Sequence, residues 1–166
     1  MPSSPIVRTQ DAVAGVVLGA LAAGVFDLMF AFWFFGMRGR SPEWILQSIA
    51  AGWLGAPAFG GGVPVAVLGA VSHFAIMLVA STLLYFACLR WRILAAHPVT
   101  AGLAFGAAIY VVMNFVVVPL SAFPYRPPHA LRTVIISLAA HMLLVGLPIA
   151  MAVCHVSLRG TRTRRN

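Results

Sequence analysis

Charged residues are scarce in this 166-residue chain: only 8% of its residues are Asp, Glu, Lys or Arg, and every basic residue is Arg. Hydrophobic residues make up 61% of the chain, whereas a soluble domain averages about 45–50% apolar and about 25% charged residues. So few charges cannot cover the core of a water-soluble fold. The composition therefore predicts a membrane protein.

The chain has only two cysteines and no recognisable catalytic motif. Cys88 and Cys154 are the only cysteines, and two cysteines near the ends of apolar runs do not make a secreted disulfide framework. No P-loop, dinucleotide-binding glycine pattern or hydrolase nucleophile motif is present. Because no nucleophile is visibly activated, the sequence does not favour an enzyme. The net charge of +8 sits at the ends of apolar runs, which indicates membrane orientation and no nucleic-acid binding.

Four apolar runs are long enough to cross a bilayer. They cover about residues 12–35, 64–89, 98–120 and 131–155. Each reaches the roughly 20 residues that a helix needs to cross about 30 Å of hydrocarbon. Short connections predict a single transmembrane domain, an all-α up-down four-helix bundle in the lipid bilayer. Spans one and three would then be diagonal, as would spans two and four.

The distribution of arginine predicts the orientation of the bundle. One side carries Arg8, Arg90, Arg92, Arg159, Arg162, Arg164 and Arg165, and the other carries Arg38, Arg40, Arg126 and Arg132. Since the first set is larger, both termini should be cytoplasmic. Residues 156–166 would then form a basic cytoplasmic tail.

The loop between spans one and two predicts a short additional helix over about residues 42–54. Ser41 is a good capping residue, Pro42 suits the first turn, and Glu43 lies near the positive helix end. A helix of this length is too short to span the membrane. It either lies in the interface, which we favour, or is re-entrant and returns through glycines 60–62.

Four polar residues interrupt the apolar runs at a similar predicted depth: Asp27, His73, Asn114 and His141. Each lies on the order of 9–15 Å from the same membrane face at about 1.5 Å per residue. Ionisable groups are costly in hydrocarbon and usually face a bundle interior, where they mark a site. We therefore expect a ligand-binding or proton-relay layer near the outer face.

Several interpretations of this layer stay open. It can be a structural hydrogen-bond network in an accessory subunit, or a transition-metal site with His73 and His141 as ligands. It can also hold haem b between those two histidines. Finally, it can form a proton or solute path in a transporter or channel. In the binding interpretation, Asp27 orients a histidine, the histidines are ligands or proton carriers, and Asn114 supplies hydrogen bonds.

Weaker candidates lie elsewhere in the chain. Cys88, His97, Cys154 and His155 share the cytoplasmic ends of three spans, where they could bind zinc or copper. The aromatic outer end of span one suits a lipid or quinone groove. Small-residue steps in span one permit a homo-oligomer or a larger membrane complex without requiring either.

Several stretches of the chain resemble a known group of proteins. They are 46–52 (LQSIAAG) with 58–59 (AF) and 61–62 (GG), 73–74 (HF), 112–122 (VMNFVVVPLSA), and His141 with 145–150 (VGLPIA). In these residues the chain is similar to uncharacterised bacterial four-span inner-membrane proteins, and more distantly to YagU-like membrane proteins. The resemblance implies a small four-span protein of the bacterial inner membrane, and it implies no activity.

Overall fold

The computed structural model describes residues 9–125 and 130–162, and all regular structure in these two ranges is helical. Within them, the helices long and apolar enough to cross a membrane are Thr9–Gly36, Gly62–Arg90, Pro98–Leu120 and Leu131–Ser157, here called spans one to four. The shortest has 23 residues, about 35 Å of helix, which exceeds the roughly 30 Å of hydrocarbon. The predicted all-α four-helix membrane bundle is confirmed.

Several α-helices make up the four spans and the connections between them. In chain order they are α1 (Thr9–Gly36), α2 (Pro42–Leu54), α3 (Gly62–Arg90), α4 (Arg92–Ala96), α5 (Pro98–Val112), α6 (Val118–Leu120), α7 (Leu131–Ala140) and α8 (Leu147–Arg162). A 3₁₀ turn at Ala56–Gly60 follows α2. Two π-helical segments, Met113–Val117 in span three and His141–Gly146 in span four, join the α-helices within each span.

The short helix α2 begins and ends where the local chemistry predicts. Its cap is Ser41, whose Oγ accepts a hydrogen bond from the Trp44 backbone N–H at 3.1 Å. Pro42 occupies the first turn without losing a backbone hydrogen bond. The helix stops at Gly55, where φ is +69°, a conformation that glycine adopts without the steric cost of a Cβ.

The two ends of the bundle can be told apart by α2. We call the end at which span one finishes and α2 lies the α2 end, and the opposite one the terminal end. Some residues behind the orientation prediction fall outside the described ranges, namely Arg8, Arg126, Arg164 and Arg165.

Span four lies at the centre of the bundle, because it packs against each of the other three spans. A Cβ added at Gly19 of span one would lie 3.3 Å from Ile149 Cα, and one added at Gly102 of span three would lie 2.9 Å from the Gly146 carbonyl oxygen. Lipid provides no hydrophobic drive for helix association, so such close backbone approach supplies the packing.

This arrangement differs from the square ring expected from the connections. Spans two and four are not diagonal but touch directly, since the sulfur atoms of Cys88 and Cys154 are 2.6 Å apart. Among the described residues, spans two and three make no comparably extensive contact. The intervening helix α4, which joins spans two and three, also packs against α8 of span four.

Helix α2 is docked on span two through a glycine. A Cβ at Gly69 would overlap the carbonyl oxygen of Leu46. The buried Gln47 side chain donates to the Gly62 carbonyl oxygen at 3.2 Å. At the other end of α2, Trp53 Nε1 donates to Ser72 Oγ at 3.2 Å. These contacts hold α2 along the first turns of span two and make it a wall of the bundle.

Candidate functional site

A common level in three spans gives a reference for depth. A Cβ added at Gly19 of span one would lie 3.0 Å from Ser81 Oγ of span two and 3.3 Å from Ile149 Cα of span four. Ser81 Oγ also donates to the Val16 carbonyl oxygen at 2.8 Å. Gly19, Ser81 and Ile149 therefore stand at one height in the bundle.

Three of the four predicted polar residues lie eight residues from this level, all toward the α2 end. Asp27 follows Gly19 by eight, while His73 and His141 precede Ser81 and Ile149 by eight. Eight helical residues rise about 12 Å. The structure thus brings Asp27, His73 and His141 to a similar height. We call these three the ionisable layer.

His73 is the most buried member of the ionisable layer, with 6% of its surface exposed. Its Nε2 lies 3.1 Å from the Gly24 carbonyl oxygen. Because a carbonyl oxygen only accepts, Nε2 carries the proton in this contact and Nδ1 is the basic nitrogen of the neutral ring. A histidine held in this way can take up a proton on Nδ1 without breaking its bond to span one.

His141 has the complementary arrangement and opens the π-helical segment of span four. Its Nδ1 lies 2.9 Å from the Ser137 carbonyl oxygen, so Nδ1 donates and Nε2 is the basic nitrogen. The ring packs edge-on against Tyr110 of span three, with 5.4 Å between ring centroids. Single-turn π segments occur frequently at functional sites.

Asn114 lies apart from the ionisable layer. A Cβ at Gly106 would overlap the His141 carbonyl oxygen, and Asn114 is eight residues beyond Gly106, about 12 Å nearer the α2 end along its helix. Its Nδ2 donates to the Tyr110 carbonyl oxygen at 2.9 Å. Tyr110 is therefore the link between Asn114 and His141, and both polar residues lie in π-helical segments.

Asn114 instead lines a cavity of about 590 Å³ at the α2 end, here called the polar vestibule. Its walls come from the end of span one, from α2, from span three and from the loop after it. The polar and amphipathic members of its lining are Arg38, Arg40, Trp44, Ser48, Asn114 and Tyr125.

A second cavity, the apolar chamber, adjoins the polar vestibule. It has a volume of about 630 Å³ and shares Ser48, Val118 and Phe123 with the vestibule. It lies between span two with α2 on one side and span three on the other. Its apolar lining includes Ile49, Trp53, Ile76, Met113, Val117 and Leu120.

Arg38, Arg40 and Ser48 were not among the predicted site residues. The two arginines were explained by membrane topology alone, although their position directly after span one and before Trp44 was a usable signal. Arg38 Nη1 donates to the Phe34 carbonyl oxygen at 2.7 Å, and its guanidinium lies 3.7 Å from the Phe34 ring centroid. Phe34 itself is buried, with 2% of its surface exposed.

The structure gathers no metal site among the residues it describes, where no three His, Cys, Asp or Glu side chains stand close enough to share an ion. The buried Cys88 and Cys154 meet, but His97 and His155 are both exposed. Neither His73 nor His141 lines the vestibule or the chamber. Haem b or a transition metal at these two histidines stays a prediction.

Comparison with known proteins adds no functional information. No family model, curated protein or solved structure matches the chain. The resemblance to bacterial four-span proteins therefore stays a prediction.

Proposed function

We propose that this protein binds a small molecule in the half of the membrane bundle that carries α2. The observation that carries the proposal is the polar vestibule, whose lining includes Asn114 and two arginines and which adjoins a second, apolar cavity. Ligand sites are typically cavities of about 300–1,000 Å³ with a few polar groups in an apolar lining. Both cavities fall in this range.

In this proposal the four predicted polar residues have two different tasks. Asn114 uses one amide N–H on Tyr110, and its second N–H and its oxygen serve the ligand. Asp27 stabilises a proton on His73 or His141, whose basic nitrogens are Nδ1 and Nε2 respectively. We also propose that the protein lies in a bacterial inner membrane with its termini in the cytoplasm, so that the vestibule faces the outer side.

The test is native mass spectrometry of the protein purified in a neutral detergent. A ligand that copurifies with the wild type should be reduced roughly tenfold or more in Asn114→Leu, which keeps the branched side-chain shape and removes the hydrogen-bonding groups. Thr82→Val is the matched control, because Thr82 also bonds to a carbonyl of its own helix, Leu78, but lies away from the vestibule. Equal ligand occupancy in both variants contradicts the proposal. The same spectra give the oligomeric state.

The common height of Asp27, His73 and His141 favours proton-coupled transport as a second candidate function. Ionisable residues inside membrane bundles frequently relay protons. In vesicles loaded with a pH-sensitive dye, the wild type should carry a proton flux that Asp27→Asn lowers at least fivefold. A flux equal to that of empty vesicles would exclude this candidate and leave the ionisable layer as a structural network.

A further inference from the structure

This inference rests on the proposed function and names its class of ligand. We propose that the ligand is an anionic amphiphile from the membrane, with a carboxylate or phosphate headgroup and one hydrocarbon chain. The headgroup binds Arg38 and Arg40 in the polar vestibule, and the chain lies in the apolar chamber.

The arrangement of the two guanidinium groups favours an anion. The guanidinium carbon of Arg40 lies over the Trp44 ring, 4.2 Å from its centroid, and that of Arg38 lies 3.7 Å from the Phe34 ring centroid. A guanidinium that stacks on a ring still has N–H donors at its edge for an anion. Arg38 uses one N–H on the Phe34 carbonyl. The remaining edge donors match the two oxygens of a carboxylate or phosphate.

Charge complementarity supports the same conclusion. The vestibule lining contains two arginines and no acidic residue. The nearest acid in the chain, Glu43 of α2, accepts a hydrogen bond from Gln47 at 3.0 Å, and Gln47 in turn bonds to Gly62 of span two. This carboxylate is exposed and does not line the vestibule. A cleft lined by charges of one sign attracts counter-ions, so the two arginines favour an anionic ligand.

The neighbouring chamber distinguishes an amphiphile from a soluble anion. Aliphatic and aromatic side chains dominate its lining, and it shares a wall with the vestibule. Spans two and three, which form its sides, do not pack extensively against each other among the described residues. A hydrocarbon chain can therefore enter from the lipid between these spans, while the headgroup stays at the α2 end with the arginines.

Aromatic rings cover the vestibule on the side of the loops. Trp44 stacks on Phe59, with 5.1 Å between ring centroids, and Phe59 packs against Tyr125 at 5.7 Å. Tyr125 also contacts Phe123 at 5.8 Å. Amphipathic aromatic residues are suited to a boundary where a polar headgroup meets hydrocarbon.

Intrinsic tryptophan fluorescence can detect the amphiphile, because Trp44 lines the vestibule and Trp53 lines the chamber. The full-length protein carries Trp33→Phe and Trp91→Phe, which removes the two other exposed indoles. It is placed in nanodiscs of a zwitterionic lipid. The probe is a stearic acid brominated along its chain, which quenches nearby indoles, at alkaline pH where its carboxyl group is ionised. Its brominated methyl ester is the uncharged comparison.

The acid should quench Trp44 and Trp53 at a concentration roughly tenfold or more below that of the ester, since paired charge-assisted hydrogen bonds are lost in the ester. Arg40→Gln should abolish this preference, and Arg40→Lys should keep part of it. Arg132→Gln, the matched control, removes one exposed arginine from the same end of the bundle but outside the vestibule, and should change nothing.

Filling the chamber provides a second, independent variant. A Cβ at Gly52 would meet only Ser121, at 3.8 Å, so Gly52→Leu places its side chain in the chamber and should weaken the acid and the ester alike. If the acid and the ester quench equally and Gly52→Leu weakens both, the proposal of an anionic ligand is overturned. The proposed ligand cavity is then still supported. Displacement of the acid by inorganic phosphate alone overturns the amphiphile. Quenching unaffected by both Arg40→Gln and Gly52→Leu contradicts any ligand in these cavities.

Discussion

The glycine contact between spans three and four leads to a quantitative prediction for Gly146→Ala. Gly146 lies in the π-helical segment of span four. A Cβ there would overlap the Gly102 carbonyl oxygen and would lie 2.6 Å from Gly106 N and 2.7 Å from Gly106 Cα. All of these are backbone atoms, which cannot rotate away as a flexible side chain can. The two spans must therefore separate to accommodate one methyl group.

The cost follows from three contributions. Overpacking a close contact costs about 1–3 kcal/mol, and rigid backbone on the opposite side puts this case at the upper limit. Separation also loosens the Tyr110–His141 ring contact, worth about 0.5–1.5 kcal/mol. Replacing a helical glycine by alanine in itself stabilises the protein by about 0.8–1 kcal/mol, which offsets part of this cost. We expect Gly146→Ala to lower the free energy of unfolding by about 2.5–3.5 kcal/mol.

The assay is reversible unfolding of the protein in mixed micelles, followed by circular dichroism. Gly52→Ala is the matched control, because its added Cβ makes only ordinary contact with Ser121, at 3.8 Å. It should leave the free energy of unfolding unchanged or raise it by up to about 1 kcal/mol. If Gly146→Ala is as stable as Gly52→Ala, spans three and four do not meet backbone to backbone at this residue.

Other contacts give three further predictions. Trp53→Phe and Ser72→Ala should each destabilise the protein, and a double-mutant cycle should give a coupling of about 0.6 kcal/mol; additive effects would show that the 3.2 Å bond does not hold α2. Ser81→Ala removes the bond to the Val16 carbonyl and should cost about 1 kcal/mol in the same unfolding assay, whereas no loss would contradict that contact. Cys88 and Cys154 are 2% and 0% exposed, so a bulky maleimide, followed by gel shift, should label them only after unfolding in denaturing detergent; rapid labelling of the folded protein would place them at its surface.

Local chemistry was sufficient to predict much of the fold. The spans depend on the length of apolar runs, and helix α2 depends on Ser41, Pro42 and Gly55, which act within a few residues of themselves. The similar height of Asp27, His73 and His141 could also be predicted by counting residues along neighbouring helices, because the rise per residue is constant.

Contacts between distant residues could not be predicted in the same way. The central position of span four results from where Gly19, Gly102 and Gly146 meet their partners. Many small residues in this chain could have served as such contacts, and apolar composition does not distinguish them. Asn114 was grouped with the histidines because depth was estimated from the ends of the apolar runs. The contact of Gly106 with His141 instead places Asn114 about 12 Å nearer the α2 end than His141.

The order of residues along the chain was enough to establish a protein that crosses the bilayer four times and carries a short capped helix after its first crossing. Hydrophobic length and capping act locally, so they can be recognised in the linear sequence. Which helix faces meet, and hence why two arginines share a cavity with Asn114, was decided only by the folded arrangement. In lipid, apolar surface alone does not select a neighbour, so helices associate where their backbones can approach closely.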